Sequence, residues 1–489
     1  MTDYSRYDTA TAIPEASSMI ETFRAIGYGI EAAIADIVDN SVSAEAKNVW
    51  INFEWKGSDT RVSFKDDGCG MNNEELIQAM KPGSKNPLDD RTRKDLGRFG
   101  LGLKTASFSQ CRILTVLSKK DDSISYWTWD LDYVKESGRW ELLKFLPDEG
   151  METGIDNQKS GTIVVWNDID RLVRNFHPDD NKALEKFLIV MDQVKKHLAM
   201  VFHRFIDNGS IKIWFQEREV KAWNPFLTSE PATQIFPDEF LNSGKVIVKG
   251  FVLPHKSKLS PETYKEAEGS KGWGGQQGFY VYRNERLLLS GDWLGLYRKE
   301  EHYKLARIQI DLPNTLDSEW QIDIKKSVAR PPIVLREQLK AYSSRVRAQA
   351  MEVYRHKGRT VKQLPGQKFV PLWIDHKRGD KWFYRINREH PLIEKSKNQA
   401  ETEPQKAIES LIRFIEETVP SRSIYIKEAS DEDALGKPFE GTDQEPIRKA
   451  MKQMYDKLVN EGKTEEQAKS IIFNIDPFHL FPHFLDFIT

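Results

Sequence analysis

At 489 residues with 39% hydrophobic content, the chain is long enough for about three domains, each with an ordinary core. Its 72 Lys and Arg offset 74 Asp and Glu for a formal charge of -2, which excludes a global pull toward nucleic acid or anionic membrane and leaves such contacts to local patches. Cys69 and Cys111 are too few for a disulfide framework and too widely spaced for a metal knuckle, the polar N-terminus lacks the apolar core of a secretion signal, and no apolar run is long enough to span a bilayer, so a reducing, cytoplasmic setting is expected.

Residues 1–17 read as a polar arm. From 18 to 42, Ile20, Phe23, Ile26, Ile30, Ile34, Ile37 and Val38 recur at helical spacing, which predicts one amphipathic helix. KNVWINFEWKG and TRVSFKDDGCG alternate apolar and polar positions and stop at turns, as strands do, and MNNEELIQAM opens on asparagines suited to a helix start. KPGSKNPLDDRTRKDLGRFG has the Pro, Gly and charge content of an exposed loop and leads into LGLKTASFSQ, a helix start. CRILTVLSKK, SISYWTWDLD and SGTIVVWNDID resume strand patterns. This order predicts an α/β sandwich, an antiparallel sheet backed by helices, over the first third of the chain.

A helical pattern over 179–202 precedes strand patterns in SIKIWF, GKVIVKGFVLP, GFYVYRNERLLL and ARIQIDLP, which predict a second α/β domain closing near WQIDIKKSVARPP. Beyond it, 332–352, 400–419 and 444–460 read as helices and KWFYRINREHPLI as an isolated strand or hairpin. The expected boundaries are an arm at 1–17, a first domain at 18–205, a second at 206–335 and a mainly helical region at 336–489. Trp273, Phe279, Tyr280 and Tyr282 are assigned to packing, the aromatic tail IIFNIDPFHLFPHFLDFIT either packs internally or docks a protein, and the scattered His356, His376, His390, His479 and His483 do not argue for a metal.

Four clusters carry chemistry. Asp36 and Asn40 are four apart and share a helix face that Asp39 borders. Such a face is either simply solvated, or a place where Asn40 offers its amide oxygen to magnesium while Asp36 orients water toward a phosphate. Asp66-Asp67-Gly68-Cys69-Gly70 follows a strand pattern; Gly68 and Gly70 make a turn or admit a planar base, to whose amino group Asp66 offers an acceptor. Gly97-Arg98-Phe99-Gly100-Leu101-Gly102-Leu103-Lys104 exposes backbone N–H groups before a helix, lacks the Walker A pattern, and reads as a glycine lid over phosphates. Ser160-Gly161-Thr162 opens a strand from which Thr162 can donate to Asp66 or to a base-bound water.

As an ordered set, the four resemble the GHKL ATPases, with an N-terminal Bergerat-fold α/β sandwich and a second, transducer-like α/β domain before the mainly helical C-terminal region. AIADIVDNSVSA, DDGCGM and PGSKN followed by GRFGLGLKTAS are most similar to the MORC-type ATPases and their bacterial relatives, over roughly residues 18–330. The resemblance implies ATP with magnesium, Asn40 as ion ligand, Asp66 as adenine reader with Gly68, Gly70 and Met71 beside it, and Gly97, Phe99, Gly100, Leu101, Gly102, Leu103 and Lys104 closing on the nucleotide. It also implies a transducer lysine at the terminal phosphate, for which Lys326 is the candidate and Lys325 its neighbour; Lys85 is assigned to surface charge. The family usually has Glu where Asp36 stands, one methylene longer; Glu31 and Asp39 are poorer substitutes.

The function implied is slow ATP hydrolysis driving a conformational or dimerisation switch, with the arm crossing to a partner copy. DNA-associated or defence work is one setting, and Arg355, Lys357, Arg359, Lys362 and Lys368 are its candidate DNA contacts or else a solvated linker. The alternatives are a chaperone-like or scaffolding ATPase with a protein client, and an ATP-sensing module that does not hydrolyse. No membrane partner is expected.

Overall fold

The structure, a computed structural model, describes residues 7, 8, 10, 12–25, 27–83, 102–147, 154–173, 175–323, 329–355, 370–378, 381–398, 408, 409, 412, 413, 415, 416, 419 and 443–485. The expectations placed on Lys85, Gly97, Phe99, Gly100, Leu101, Lys325 and Lys326, and on Lys357, Arg359, Lys362 and Lys368, lie outside the described residues. The chain divides into two units, Met1–Gly358 and Arg359–Thr489.

The first unit opens with α1 (Ala16–Ala25) and α2 (Ile30–Ser43), where the periodicity predicts one helix over 18–42. Gly27 takes a φ of 74°, a left-handed conformation that ends a helix and that glycine reaches without a Cβ clash. The apolar spacing survives the break because Ile20 and Phe23 on one side and Ile34, Ile37 and Val38 on the other are buried in the same core.

Next come β1 (Asn48–Glu54), β2 (Arg61–Asp66), α3 (Asn73–Met80), α4 (Gly102–Phe108), β3 (Ile113–Lys120), β4 (Ser123–Asp130), α5 (Leu131–Ser137), β5 (Gly161–Asn167), α6 (Asn181–Val201), α7 (His203–Asp207), β6 (Lys212–Phe215) and β7 (Arg218–Glu219). β2 shows why its residues form a strand: half-buried and buried positions alternate along it, so one face joins the core. Asn72 caps α3 in a reciprocal capping box with Glu75, and Asp180 caps α6.

The strands form one seven-stranded sheet in the order β4-β3-β5-β2-β1-β6-β7. Its described pairings are antiparallel except β1 with β6, which run parallel. Residues 212–219, expected in the second domain beyond a boundary at 205, therefore complete the first sheet; α6 and α7 carry the chain back to the free edge of β1. Arg24 ties α1 to the end of α4, its Nη1 donating to the carbonyls of Phe108 (2.8 Å) and Cys111 (3.0 Å) and its Nη2 to both oxygens of Asp170 (2.9 and 2.7 Å).

A second, six-stranded sheet has the order β12-β11-β13-β10-β8, with β9 also on β10. Its elements are β8 (Gln234–Ile235), β9 (Glu239–Leu241), β10 (Val246–Val252), α8 (Pro261–Ala267), α9 (Gly272–Gly275), β11 (Gly278–Arg283), β12 (Arg286–Asp292) and β13 (Ala306–Leu312). The long helix α10 (Ile333–Arg355), which spans the expected boundary at 335, buries Leu335, Leu339, Tyr342, Val346 and Ala350 in the core of this sheet. Trp273, Phe279, Tyr280 and Tyr282 are all buried, as the packing assignment expects.

His203, 2% exposed, opens α7, with its Nε2 2.8 Å from the hydroxyl of Tyr282 on β11. Burial, and then the Arg204 charge, push its pKa from 6.5 down to about 3. The unfolded chain therefore binds a proton that the folded one refuses, so this contribution to stability is complete at neutral pH and declines as pH falls below the unfolded value. Lowering pH from 7 to 5 is expected to remove about 2 kcal/mol through this group. Denaturant unfolding of His203→Gln at both pH values should show a smaller pH dependence than the parent, and an equal dependence would contradict the assignment.

In the second unit, β14 (Trp373–Arg378) and β15 (Lys381–Ile386) form an antiparallel hairpin, followed by α11 (Pro391–Asn398), α12 (Glu445–Asn460) and α13 (Glu465–Phe473). Ile447, Met451 and Tyr455 of α12 meet Ala468 and Ile472 of α13, and Phe478 and Phe481 of the aromatic tail are buried with them. Of the two readings of that tail, internal packing accounts for these residues. Among the described residues, no helix is long and apolar enough to cross a membrane and no group of three metal-ligating side chains occurs.

Candidate functional site

Three strands place the polar centre of the first domain. In their registers Asp66 lies opposite Thr162 and Thr162 opposite Ser118, so one row across β2, β5 and β3 carries a carboxylate and two hydroxyls. Asp66 is buried and accepts from the Ser41 hydroxyl (2.9 Å), the Gly68 N–H (3.0 Å) and the Thr162 N–H (3.2 Å). Burial pushes its carboxyl up from the ordinary aspartate value, and these three donors oppose that rise. Thr162 reaches Asp66 through its backbone N–H, whereas its hydroxyl lies 2.9 Å from that of Ser118. Ser118 in turn accepts from the Met71 N–H at 2.8 Å, which fastens the glycine turn to the sheet.

The turn glycines are required by the protein's own backbone. A Cβ at Gly68 would lie 2.8 Å from the Ala44 carbonyl oxygen, and one at Gly70, where φ is 66°, 1.9 Å from that of Lys119. These contacts account for both glycines independently of a bound base. Gly70→Ala combines a left-handed alanine with a backbone clash, and a loss on the order of 3 kcal/mol in a denaturant melt is the expected result. An unchanged midpoint would show that the turn relaxes freely.

Helix α2 joins this turn to the start of α4. Its C-terminal end holds the turn, through the Ser41 hydroxyl on Asp66 and the Ala44 carbonyl, which accepts from the Cys69 N–H at 3.0 Å. One turn earlier Asn40 is exposed, and a further turn back Asp36 is 3% exposed. The Asp36 carboxylate accepts from the Tyr28 hydroxyl at 3.1 Å and lies 3.8 Å from where a Gly102 Cβ would be. Tyr28, at the α1–α2 break, has its hydroxyl pKa pushed up by burial first and then by the Asp36 charge, with Asp323 of the second domain adding to the rise. The structure thus brings Asp36 and Gly102 together, and Asn40 and Asp66 onto the same helix and the turn it holds.

Lys104 and Leu103 sit in the first turn of α4. Lys104 is buried and donates to the Ala79 carbonyl at 2.8 Å, in the last turn of α3, where a cation complements the helix end. A cleft of about 870 Å³, lined in part by Trp127, Trp129 and Trp140, is reached by Pro82 and Gly83 of PGSKN but by none of Asp36, Asn40, Asp66, Gly102 or Thr162.

Four partners were missed from the sequence. Ser41 adjoins Asn40 in sequence, and a hydroxyl beside a motif asparagine is a signal that was available. Tyr28 and Ser118 become visible only with the helix break and the strand register. Arg286, from β12, has its Nε 3.2 Å from both Asp39 oxygens and its Nη2 3.8 Å from Asp36.

Residues 28–162 match the family of histidine kinase-, DNA gyrase B-, and HSP90-like ATPases, a span that begins at Tyr28 and ends at Thr162. Residues 28–162 are therefore of the GHKL superfamily, and the chain is MORC-like. The chain is 34% identical over 93 residues to ATPase morc-1 of Caenorhabditis elegans, covering 19% of this chain and 10% of that protein. It is 26% identical over 156 residues to ATPase MORC2B of Mus musculus, covering 31% of this chain and 15% of that protein. The matches thus span a small part of either relative's length.

Proposed function

We propose that this chain binds Mg·ATP at the Asn40–Asp66 face of α2 and hydrolyses it slowly, with Asp36 orienting the attacking water. The observation that carries this reading is the joint anchorage on one helix: Asp66 held at its C-terminal end by Ser41, Asn40 open to solvent, and Asp36 beside Gly102 one turn before. A single exposed amide oxygen suits magnesium, a hard ion that takes few protein ligands and keeps waters and phosphate oxygens for the rest. Bound there, the ion would neutralise phosphate charge.

Asp66 reads the adenine amino group, and Gly97, Gly100 and Gly102 close on the phosphates. Lys326 approaches the terminal phosphate. Closure alternates with release as a dimerisation switch, with a DNA-associated process or a protein client as its output.

Burial of Asp36 favours one second reading, an ATP sensor without turnover, because a carboxylate 3% exposed must gain access to water before it can orient any. Titration of the purified chain with Mg·ATP, followed by phosphate release at saturation, separates the readings. Binding with release supports the ATPase, binding without release supports the sensor, and no binding ends both.

A further inference from the structure

We infer that Arg286 is a positioning residue for Asp36, through which the second domain sets the rate of ATP turnover without setting the affinity for ATP; this rests on the role proposed above for Asp36.

The β11–β12 hairpin turns on Asn284 and Glu285, at φ 47° and 70°, with Arg283 opposite Arg286. Two successive residues at positive φ make the tight two-residue turn whose twist suits a hairpin, so the place of the first β12 residue is well defined. Arg283 anchors the other strand, donating from Nε (2.7 Å) and Nη2 (2.8 Å) to the buried Asp317 carboxylate.

From this rigid base Arg286 reaches α2 and is 4% exposed. Its Nε faces both oxygens of Asp39 at 3.2 Å, its Nη2 lies 3.8 Å from Asp36 Oδ1, and its Nη1 donates to the Leu287 carbonyl at 2.9 Å. The hydrogen bonds of Nε and Nη1 fix the guanidinium plane and leave Nη2 facing Asp36 as an ion pair, a constraint that a lysine cannot reproduce. Phe202 adds an apolar wall, its ring centre 6.0 Å from the guanidinium carbon.

Asp36 and Asp39 are three apart on one helix, and are 3% and 2% exposed. Like charges at that spacing repel, and burial strengthens the repulsion. The Arg286 charge opposes it for both. The remaining oxygen of Asp36, Oδ2, accepts from Tyr28, so the carboxylate is oriented from two sides: Tyr28 of the first domain and Arg286 of the second. A short side chain in place of glutamate depends on such orientation, since it has less reach with which to find the water. His197 adds no second cation, because burial and then the Arg286 charge push its pKa down to about 3. A shift of the hairpin therefore changes how Asp36 is held, while Asn40 and the Asp66 turn keep their contacts.

The test uses the full chain, with Mg·ATP affinity by calorimetry and phosphate release at saturating ATP for the parent, Arg286→Ala, Arg286→Lys, Asp39→Asn, Asp36→Asn and the Asp36→Asn/Arg286→Ala double variant. Arg286→Ala should hold affinity within about threefold and lose about tenfold or more in kcat, Arg286→Lys should recover part of the loss, and the double variant should be no slower than Asp36→Asn alone. If Arg286→Ala does not fold by thermal melt, Arg286→Lys and Asp39→Asn carry the comparison and should each lower kcat. A kcat in these variants equal to or above the parent's, or a loss of affinity in step with kcat, overturns the inference while leaving the ATPase reading intact. A parent that releases no phosphate, or an Asp36→Asn protein with undiminished kcat, overturns that reading and this inference with it.

Discussion

Asp66→Asn should lower ATP affinity on the order of a hundredfold while leaving the first domain folded. The substitution keeps the side chain's size but replaces one acceptor oxygen by a donor NH2. Two backbone N–H groups, those of Gly68 and Thr162, converge on one oxygen of Asp66, so the amide oxygen must take that place. The NH2 then faces the side of Ser41, whose hydroxyl can rotate to accept it, and the fold retains its contacts. The adenine amino group has no such freedom: it is a donor and would meet a donor. Losing a hydrogen bond to a charged acceptor and leaving a donor unsatisfied together cost about 3 kcal/mol, which converts to the stated factor. The parent should also prefer ATP to GTP, whose oxygen at the corresponding position repels a carboxylate, and Asp66→Asn should narrow that preference. Calorimetric titration with both nucleotides checks this; an unchanged ATP affinity would remove Asp66 from base recognition.

The first domain was largely legible because its signals are local. Alternation in RVSFKD and the capping asparagine at 72 specify β2 and α3 without help from distant residues, and α6 begins one residue after its Asp180 cap. The one break in a local pattern, between α1 and α2, turned on Gly27, whose left-handed φ outweighs an apolar periodicity that continues through it. Partnerships across the sequence were not legible. KIWF has the pattern of a strand wherever it pairs, and only the tertiary structure puts it parallel to β1 in the first sheet. The same limit applied at the site. Asp36, Asn40, Asp66 and Thr162 could be picked out one by one, but that Thr162 meets Asp66 through its backbone follows from strand register, and a one-residue slip would have turned its side chain to the opposite face. The contact of Arg286 with Asp39 joins residues 247 positions apart and has no sequence signal at all.

Asp36→Asn should leave Mg·ATP affinity within a few-fold of the parent and reduce kcat by roughly 10²–10⁴, the range a positioned general base contributes. Affinity is spared because Asp36 is directed at Tyr28 and Arg286, while the proposed nucleotide contacts come from the next turn of the helix and from the Asp66 turn. Asparagine's oxygen can still accept from the Tyr28 hydroxyl, so the break between α1 and α2 keeps its closure. What disappears is the basic oxygen and one of the two negative charges facing Arg286, whose 3.2 Å contacts to Asp39 persist. Asp36→Glu supplies the complementary arm. It restores the reach of the family's usual residue, but the Asp36 side chain is buried with its two oxygens facing Tyr28 and Arg286, so the added methylene must be taken up by a shift of those partners. Overfilling of this kind costs about 1–3 kcal/mol of stability, and Asp36→Glu should therefore melt earlier than the parent even if it turns over faster. Phosphate release and melting temperature measured on the same three proteins decide the matter: turnover surviving in Asp36→Asn would mean that water is oriented by some other group, and the short carboxylate on α2 would be a structural partner of Arg286.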